Sequence, residues 1–572
     1  MEVLTTLPAT AGYDVVVIGA GGAGMSAALF AAMDGARVLL VEHTQYVGGT
    51  TAWSAGTTWV PGTHHAAKVN PADTLQAART YLDAAIGNHA APAMRQAFLD
   101  HGAAAVKRLE AQSDLQYRPY PKHPDYISDL PGSTLNGRAL EPLPFDGRLL
   151  GDLFGLIRPP IPEFTVLGGM MVDRTDINHL LGMTGSWASF QHSVRIILRH
   201  AADRLRYPRG TRLVMGNALI ARLLYSLSKR PNVTLALNTS LEQLGDADGP
   251  VHSVVLRQNG KLCTVQVKGG VVLASGGFNR NAAERQKRLP GGNEAWCPGA
   301  PGHTGVALEL ARQHGAHFAT GGKSDAFWAP VSLRKRADGS TAVFPHFVMD
   351  RAKPGFITVN QAGKRFVNES TSYHLFGLAM QEAHKTSPSV PAYLVCDAEA
   401  LRKYGVGMVR PGGKGLAPFL ADGYLTEGAT LEELAAKLGV DAQGLVASVQ
   451  QINRYAETGV DPDFGRGVTA YQQNIGDATA GHKNPNLGPI ATAPFYAVKL
   501  YPGDIGASTG LATDTQAQVL GDDDQPIGGL YAVGNDMHSI MGGVYTAPGI
   551  TIGPGLVFGC IAAQHAVARA RS

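Results

Sequence analysis

The 572-residue sequence predicts an α/β fold that is built around a parallel sheet. The first observation is a β-branched run, residues 13–18, followed by closely spaced glycines and a helix of small residues, 23–34. The second is another apolar run, residues 36–41, which ends in Glu42. Two strands joined through a helix pair in parallel, so residues 13–42 predict one βαβ unit.

The composition is that of a globular protein with a large core. Hydrophobic residues make up 44% and charged residues 17%, which excludes a disordered chain. The net charge of +3 argues against a nucleic-acid-binding protein and against a polybasic membrane anchor. Glycine is enriched, with 70 residues, and predicts many tight turns and close approaches of the backbone to ligands.

The cysteines predict neither a disulfide framework nor a structural zinc site, because they are far apart and form no CxxC pair. They are Cys263, Cys297, Cys396 and Cys560. The histidines form no HExxH or HxH pattern, and the adjacent pair His64 and His65 is interpreted as part of a polar loop. We therefore expect no metal site and a reducing, cytoplasmic location.

One apolar segment has the length of a membrane span. Residues 15–33 contain no charged side chain, but their glycines are better explained by a strand, a turn and a helix. The residues before this segment carry no Lys or Arg, so a secretory signal is not expected. We expect no transmembrane segment. Three interpretations of residues 154–171 remain open: packing under a cap, a substrate lid, and a patch that touches a membrane. A membrane-peripheral location is therefore also considered.

The glycines of the first turn form the pattern GxGxxG. Gly19 permits the tight turn, Gly21 lets backbone N–H groups reach a pyrophosphate, and Gly24 lets the helix pack close to the strand. Glu42 is placed to accept hydrogen bonds from ribose hydroxyls. The helix N-terminus adds partial positive charge for the phosphates. A Rossmann-like dinucleotide site is therefore predicted, with these residues: Gly19, Gly21, Gly22, Ala23, Gly24 and Glu42.

A second turn of small residues distinguishes FAD from NAD. Residues 48–56 directly follow the acidic strand end, where an NAD dehydrogenase would usually continue with another βα unit. Such a turn can pass beside a flavin and offer hydroxyl groups to phosphate or ring. The predicted contacts here are Gly49, Thr50, Thr51, Ser54 and Gly56.

Several runs together resemble the flavoprotein family of fumarate reductases, succinate dehydrogenases and ketosteroid dehydrogenases. They are VVVIGAGGAGMSAA, VEHTQYVGGTTAWSAG, GGVVLASGGFNRN (269–281), GKRFVNE (363–369), LYAVGN (530–535) and TIGPGLVFG (551–559). The resemblance spans nearly the whole chain and implies an FAD cofactor. It also implies further cofactor contacts at Ser275, Gly276, Gly534, Asn535, Ile550 and Ile552.

The resemblance implies a discontinuous FAD-binding domain with an inserted α+β substrate or capping domain. The first part of the FAD-binding domain is expected at residues 1–285, with a cap-like insertion at about 90–215. The substrate or capping domain is expected at 286–488, and the chain returns to the FAD-binding domain at 489–572.

The sequence lacks the cationic side chains with which fumarate-type relatives bind a dicarboxylate. Four residues after Glu369, where those relatives carry an Arg, this chain carries Tyr373. The turn 503–510 has no His, and residues 534–559 contain neither Arg nor Lys. Because a buried dicarboxylate without cations is strongly unfavourable, fumarate and succinate are rejected as substrates.

Tyrosines at these places resemble those of the 3-ketosteroid Δ1-dehydrogenases. Tyr545 and Gly549 have the spacing of that group's Tyr-x-x-x-Gly element, in which the Tyr hydroxyl and the Gly N–H hold the ketone oxygen. Close relatives read more like PGAGAT where this chain reads TAPGIT (546–551). Two donors on a ketone oxygen stabilise enolate character as a neighbouring proton leaves.

The same resemblance implies a catalytic base. Tyr373 matches the tyrosine that removes the proton next to the ketone, and Tyr126 stands near the place of a tyrosine that supports it. Tyr117 and Tyr120 are alternatives for that supporting role.

The expected function is therefore FAD-dependent dehydrogenation of a small apolar ketone, most simply a steroid, at the bond α,β to the carbonyl, with an unidentified electron acceptor. The alternatives are desaturation or reduction of another cyclic ketone or of the steroid 4,5-bond, reduction of an unsaturated acid, and a non-catalytic flavoprotein. Non-covalent FAD is expected, because neither His43 nor His64 stands where some relatives attach their flavin.

Overall fold

The computed structural model describes residues 1–245, 249–348 and 350–572. Within them, the larger sheet has nine strands and a parallel centre. The parallel strands lie in the order Glu2–Leu4, Val233–Ala236, Val38–Val41, Thr10–Ile18, Lys261–Leu273 and Pro526–Ala532. Val15, Val16 and Val17 are fully buried, as expected for a strand that is covered on both faces.

Antiparallel strands extend this sheet on one side. Ser253–Gln258 pairs with the first half of Lys261–Leu273, and Thr239–Leu244 pairs with Ser253–Gln258. Gln518–Leu520 pairs with Pro526–Ala532. One strand, Lys261–Leu273, runs through the glycine pair at 269–270. The register shifts between Val267 and Gly270, where Gly270 has φ +145°, so the glycine pair makes a bulge instead of an end.

The helix that follows the first turn, Gly22–Met33, has 12 residues. It packs against the C-terminal helix Ile552–Arg571, whose Gly559 comes close to the backbone of Ala23. In the described part of the chain, no helix has both the length and the apolar character that crossing a membrane requires. Residues 15–33 thus form the strand, turn and helix that were expected instead of a span.

A second, antiparallel sheet of six strands lies in the later half of the chain. Its strands are Thr341–Pro345, Ala326–Lys335, Phe495–Ala507, Ala392–Asp397 and Phe356–Val359, with Thr426–Gly428 also paired to Phe495–Ala507. The fold is therefore mixed α/β, with a parallel FAD-type sheet and a separate antiparallel sheet. The long strand Phe495–Ala507 lies beyond residue 489, and the chain rejoins the larger sheet at Gln518–Leu520.

Other helices surround the two sheets. They are Ala66–Val69, Leu75–Ile86, Pro92–Gln112, Arg174–Leu181, Trp187–Asp203, Met215–Ser228, Ala282–Arg288, Val306–Gln313, Tyr373–His384, Ala398–Tyr404, Ala417–Ala421, Leu431–Leu438, Ala442–Thr458 and Ala470–Ile475. Short strands form three small sheets. In the first, Ala139–Pro142 lies between Thr58–Trp59 and Tyr117–Pro119; in the others, Phe145–Asp146 pairs with Arg212–Leu213 and Thr165–Val166 with Met170–Met171.

The stretch 90–215 contains both helices and short strands. Its first helix, Pro92–Gln112, packs against the C-terminal helix Ile552–Arg571. Its middle part carries Tyr126 to a large cavity between the two sheets. The domain boundaries drawn from the sequence stay a prediction.

Candidate active site

The cavity begins at the glycine turn before the helix Gly22–Met33. Gly19 has φ +110°, and a Cβ there would lie 2.3 Å from the carbonyl oxygen of Ala274. A Cβ on Gly24 would lie 1.9 Å from the carbonyl oxygen of Gly19, so this glycine allows the helix to pack on the strand. At Gly21 a Cβ would meet no atom within 4 Å. The turn therefore leaves open space at the helix N-terminus, where a pyrophosphate would bind.

Glu42 lies at the end of the neighbouring strand and is 7% exposed. One carboxylate oxygen accepts a hydrogen bond from Ala20 N at 3.0 Å, and the other accepts from Thr44 N at 2.9 Å. These bonds hold the carboxylate at the cavity wall, in the place where a ribose would lie.

The second turn folds against the first. Gly49–Trp53 is a 3-10 helix, and Gly22 N donates to the hydroxyl of Thr51 at 3.3 Å. Thr50 Oγ1 accepts from Ala300 N at 2.8 Å and lies 3.3 Å from His303 Nε2. The turn thus presents a hydroxyl-rich edge to the cavity.

A second buried carboxylate, that of Asp536, lies behind the cavity wall. Asp536 accepts hydrogen bonds from Ser275 N at 2.5 Å and from Gly277 N at 2.8 Å. It joins the end of the strand Lys261–Leu273 to the segment that carries Gly534 and Asn535.

Most residues predicted to bind the cofactor line this one cavity. They are Gly19, Gly21, Gly22, Ala23, Glu42, Gly49, Thr50, Thr51, Ser54, Gly56, Ser275, Gly276, Gly534, Asn535 and Ile552. Gly24 does not line it, because its role is packing. The side chain of Ile550 is buried behind the wall, beside a small separate pocket.

Three tyrosines meet at the other end of the cavity. The hydroxyl of Tyr126 donates to the hydroxyl of Tyr373 at 3.3 Å, and their ring centroids lie 5.4 Å apart. The ring of Tyr545 lies 5.0 Å from that of Tyr373 and 5.8 Å from that of Tyr126. All three line the cavity, although 247 positions separate the first two in sequence.

Burial dominates the acidity of these phenols. It raises the pKa of Tyr373 and of Tyr126 well above 10, and charge repulsion from neighbouring tyrosines adds to the rise. The hydrogen bond between the two hydroxyls acts the other way on the phenol that ionises. Burial also raises the pKa of Tyr545, against hydrogen bonds that lower it. A phenolate here needs stabilisation from its surroundings.

The loop that carries Tyr545 and Gly549 is held from several sides. The carbonyl of Thr546 accepts from the Tyr81 hydroxyl at 2.5 Å and from Tyr126 N at 2.8 Å. Gly549 has φ +87°, and a Cβ there would lie 2.4 Å from the carbonyl oxygen of Thr57. Only glycine suits this position, and its backbone lines the cavity.

Tyr117 and Tyr120 do not reach the tyrosine cluster. The Tyr117 hydroxyl accepts from Thr58 at 3.1 Å, and the Tyr120 hydroxyl lies 3.3 Å from that of Thr57. Neither lines the cavity. The geometry thus brings Tyr126, and not the two alternatives, to Tyr373.

Sequence reasoning missed the loop at residues 298–307. His303 lines the cavity and packs on Gly276, where a Cβ would lie 2.6 Å from the imidazole. Burial lowers the pKa of His303 to about 4, so it is neutral. The sequence signal for this loop is the run PGHTG (301–305), in which two polar residues stand between turn-forming residues.

Charge is scarce in the cavity wall. Of the described residues that line it, Arg158 is the only arginine or lysine. Its guanidinium donates to Thr44 at 2.8 Å, beside Glu42, and so lies at the nucleotide end. The end with the tyrosines is apolar, with Phe327 beside Tyr545 and Phe347 beside Tyr373 in its wall.

One group of metal-ligating side chains lies outside this cavity. The Nε2 atoms of His64 and His65 lie 3.2 and 2.8 Å from one carboxylate oxygen of Glu110. Hydrogen bonding accounts for these distances. The buried Nδ1 of His65 has no partner among the described residues, so a metal-bound His65 would lack an acceptor for its second N–H.

Comparisons with known proteins agree with this architecture. A family model described as an FAD binding domain matches residues 14–552. The 4-oxocyclohex-2-ene-1-carboxylate 5-dehydrogenase of Sinomonas cyclohexanicum is 38% identical over 96% of this chain and 93% of its own. The 3-oxosteroid 1-dehydrogenase of Mycolicibacterium smegmatis is 36% identical over 98% of both chains.

A solved structure is also similar. The 3-ketosteroid Δ1-dehydrogenase of Sterolibacterium denitrificans, in complex with 1,4-androstadiene-3,17-dione, has a TM-score of 0.90 and 35% identity over 97% of this chain and 99% of its own. The glycine cradle, the carboxylate of Glu42 and the hydroxyl-rich second turn fit an FAD. The chain therefore belongs to the FAD-binding family of the fumarate reductase and succinate dehydrogenase flavoproteins, and its cofactor is FAD.

Proposed function

We propose that this protein is a dehydrogenase of cyclic ketones that introduces a C=C bond beside the carbonyl, and that its substrate is a 3-ketosteroid desaturated at the 1,2-bond. The observation that carries the proposal is the convergence of Tyr126, Tyr373 and Tyr545 with Gly549 at the apolar end of the FAD cavity. Similarity to 3-oxosteroid 1-dehydrogenases over nearly the whole chain supports it.

The ketone oxygen is assigned to Tyr545 and Gly549. The Tyr545 hydroxyl and the Gly549 N–H are two donors on one side of the cavity. Of the described residues, none accepts a hydrogen bond from the Gly549 N–H, so this donor is available to a ligand. Two such donors stabilise the negative charge that grows on the oxygen as the α-proton leaves.

Tyr373 is assigned as the base. The α C–H bond breaks, its proton passes to the Tyr373 oxygen, and its electron pair enters the new double bond as the β-hydrogen leaves with two electrons. FAD, when bound, supplies the acceptor for this hydride. Tyr126 donates to the Tyr373 oxygen at 3.3 Å and so stabilises the phenolate form before the proton arrives.

A second candidate substrate is a cyclohexanone carboxylate, because two relatives from Sinomonas cyclohexanicum, at 38% and 35% identity, are named for such compounds. The cavity wall supports the uncharged steroid instead. A carboxylate at the tyrosine end would meet no Arg or Lys among the described lining residues.

A substrate panel separates these candidates. The FAD-loaded protein is mixed anaerobically with 4-androstene-3,17-dione, with 4-oxocyclohexanecarboxylate and with uncharged 4-methylcyclohexanone. The proposal expects fast bleaching of the flavin by the steroid and weak bleaching by the carboxylate. Faster bleaching by the carboxylate than by both uncharged ketones would contradict the steroid and identify a cyclohexanone carboxylate as the substrate.

A membrane-peripheral location is proposed from the helix Trp187–Asp203. One exposed face of this helix carries large apolar side chains, with Trp187 at 70%, Phe190 at 40% and Leu198 at 64% exposure. The exposed Arg204 and Arg206 follow it, a pattern that suits an anionic lipid surface.

Sedimentation with anionic vesicles tests this location. Trp187→Ser combined with Leu198→Ser should abolish binding to the vesicles, and Leu262→Ser, at another exposed leucine, should not. A wild-type protein that stays in the supernatant, or a double variant that still binds, would contradict it.

A further inference from the structure

Arg351 is a buried cation behind the tyrosine cluster. It is 0% exposed, and its guanidinium donates to the carbonyls of His346, Phe347, Glu369 and Thr371 at 3.0, 2.9, 2.5 and 2.6 Å. All of the acceptors that the guanidinium binds are backbone oxygens, which carry no net charge and therefore do not neutralise it.

No carboxylate neutralises this cation directly. Among the described residues, none forms a salt bridge with Arg351: Asp350 faces His346 at 2.6 Å, and Glu369 faces Arg365 at 2.7 Å. Arginine keeps its proton even when burial lowers its pKa, as it does here. The guanidinium therefore projects positive potential into a region of low dielectric.

Tyr471 connects this cation with the tyrosine cluster. It is 1% exposed, and its ring lies 4.7 Å from the ring of Tyr126. Its backbone N–H donates to Ser128 Oγ at 2.9 Å, which ties it to the segment that carries Tyr126. Its buried hydroxyl makes no close hydrogen bond with the described residues, and the guanidinium of Arg351 is its charged neighbour. Burial raises the pKa of Tyr471 to about 12, and the charge of Arg351 acts in the opposite direction.

Arg351 also holds two segments that position the base. The carbonyls of Glu369 and Thr371 precede Tyr373, and Phe347 packs on the Tyr373 ring with centroids 4.8 Å apart. The other titratable or charged groups next to the cluster or Arg351 are His374, Asp350 and Arg466, and Tyr120 acts on Tyr126 from farther away. Of these, Arg466 is the other cation, and Glu369 lies 3.2 Å from it.

We propose that Arg351, acting through Tyr471 and Tyr126, is the positioning residue whose charge stabilises the phenolate of Tyr373. This inference rests on the proposed function, since it concerns the base of that reaction. It predicts that the pH at which Tyr373 ionises is set by a cation that touches neither substrate nor FAD.

The pH profile of anaerobic flavin reduction tests this role. In the wild type the rate should rise with pH as Tyr373 ionises. Arg351→Met should shift the midpoint upward by about one pH unit, so the rate below the midpoint falls ~10-fold and recovers at high pH. Arg351→Lys keeps the charge and should keep the midpoint. Arg95→Met, which removes a 4% exposed arginine that is paired to Asp83, is the matched control and should also keep it.

A rate that falls equally at every pH in both Arg351 variants would mean a structural role only and would overturn the proposal. If Arg351→Met does not fold, Tyr471→Phe takes its place. It should shift the midpoint upward by a smaller amount, and an unchanged midpoint would overturn the proposal.

If no ketone bleaches the wild-type flavin, the proposed function fails but Arg351 can still be tested. The alkaline rise of tyrosinate absorption is then compared between each protein and its Tyr373→Phe counterpart. The difference between the two titration curves reports the ionisation of Tyr373 alone, and Arg351→Met should shift the midpoint of this difference to higher pH. An unmoved difference would overturn the proposal.

Discussion

Replacing Tyr373 by Phe removes one hydroxyl and leaves the ring that packs against Tyr126, Tyr545 and Phe347. A phenol of pKa ~10 is ionised in about one molecule in 1000 at pH 7, and burial of Tyr373 reduces this fraction. The wild-type rate of flavin reduction should therefore rise ~10-fold per pH unit below the midpoint. Loss of a general base typically costs ~10²–10⁴ in rate, so Tyr373→Phe should be slower by that factor and insensitive to pH.

The assay is stopped-flow reduction of the bound FAD by an excess of ketone without oxygen. Binding of the ketone, read from its perturbation of the flavin spectrum, should change little, because Tyr545 and Gly549 remain. Tyr117→Phe is the control, since it removes a buried hydroxyl that does not line the cavity. Near wild-type reduction in Tyr373→Phe, or a rate that still rises with pH as in the wild type, would refute the assignment of the base.

Tyr545→Phe should lower the rate of flavin reduction ~10²–10³-fold with unchanged FAD content, because one of two donors to the ketone oxygen is lost; full activity would refute this assignment. Glu42→Ala should weaken FAD binding in equilibrium dialysis and leave the rate of the fully loaded enzyme nearly unchanged; unaltered affinity would count against the ribose contact. Gly24→Ala should lower the melting temperature of the FAD-free protein, since its Cβ would lie 1.9 Å from the Gly19 carbonyl oxygen, and equal melting of both proteins would contradict the packing role. Acid precipitation should release the yellow colour into the supernatant, and colour left in the pellet would show covalent FAD.

The nucleotide end of the cavity was largely readable from the sequence. A turn that must approach a pyrophosphate needs glycine at fixed spacing, so Gly19, Gly21 and Gly24 mark it locally. His303 and Asp536 escaped prediction, because their contacts with Thr50 and Ser275 join segments more than 250 positions apart.

The substrate end was predicted through resemblance and not through local pattern. The local sequence does not show which of Tyr117, Tyr120 and Tyr126 supports the base, and the folded backbone decides between them. Tyr117 enters the short strand Tyr117–Pro119 and points away, whereas Tyr126 N bonds to the carbonyl of Thr546 and places its ring beside Tyr373.

The position of the long strand Phe495–Ala507 was also beyond sequence reasoning. Its apolar pattern suits either sheet, and the pairing with Ala326–Lys335 and Ala392–Asp397 decides for the antiparallel one. Conversely, the sequence does not show whether the glycine pair at 269–270 separates two strands or makes a bulge within one, because a bulge and a strand end have the same local signal.

The most direct test of the proposed dehydrogenation is the product of one anaerobic turnover. A saturated-ring 3-ketosteroid is mixed with an equal amount of FAD-loaded protein, and flavin absorbance and steroid mass are followed together. We expect that each flavin bleached yields one steroid lighter by two hydrogens, with the new double bond between C1 and C2. A flavin that stays oxidised with every cyclic ketone, while the chemically reduced protein is reoxidised by an unsaturated acid, would contradict it.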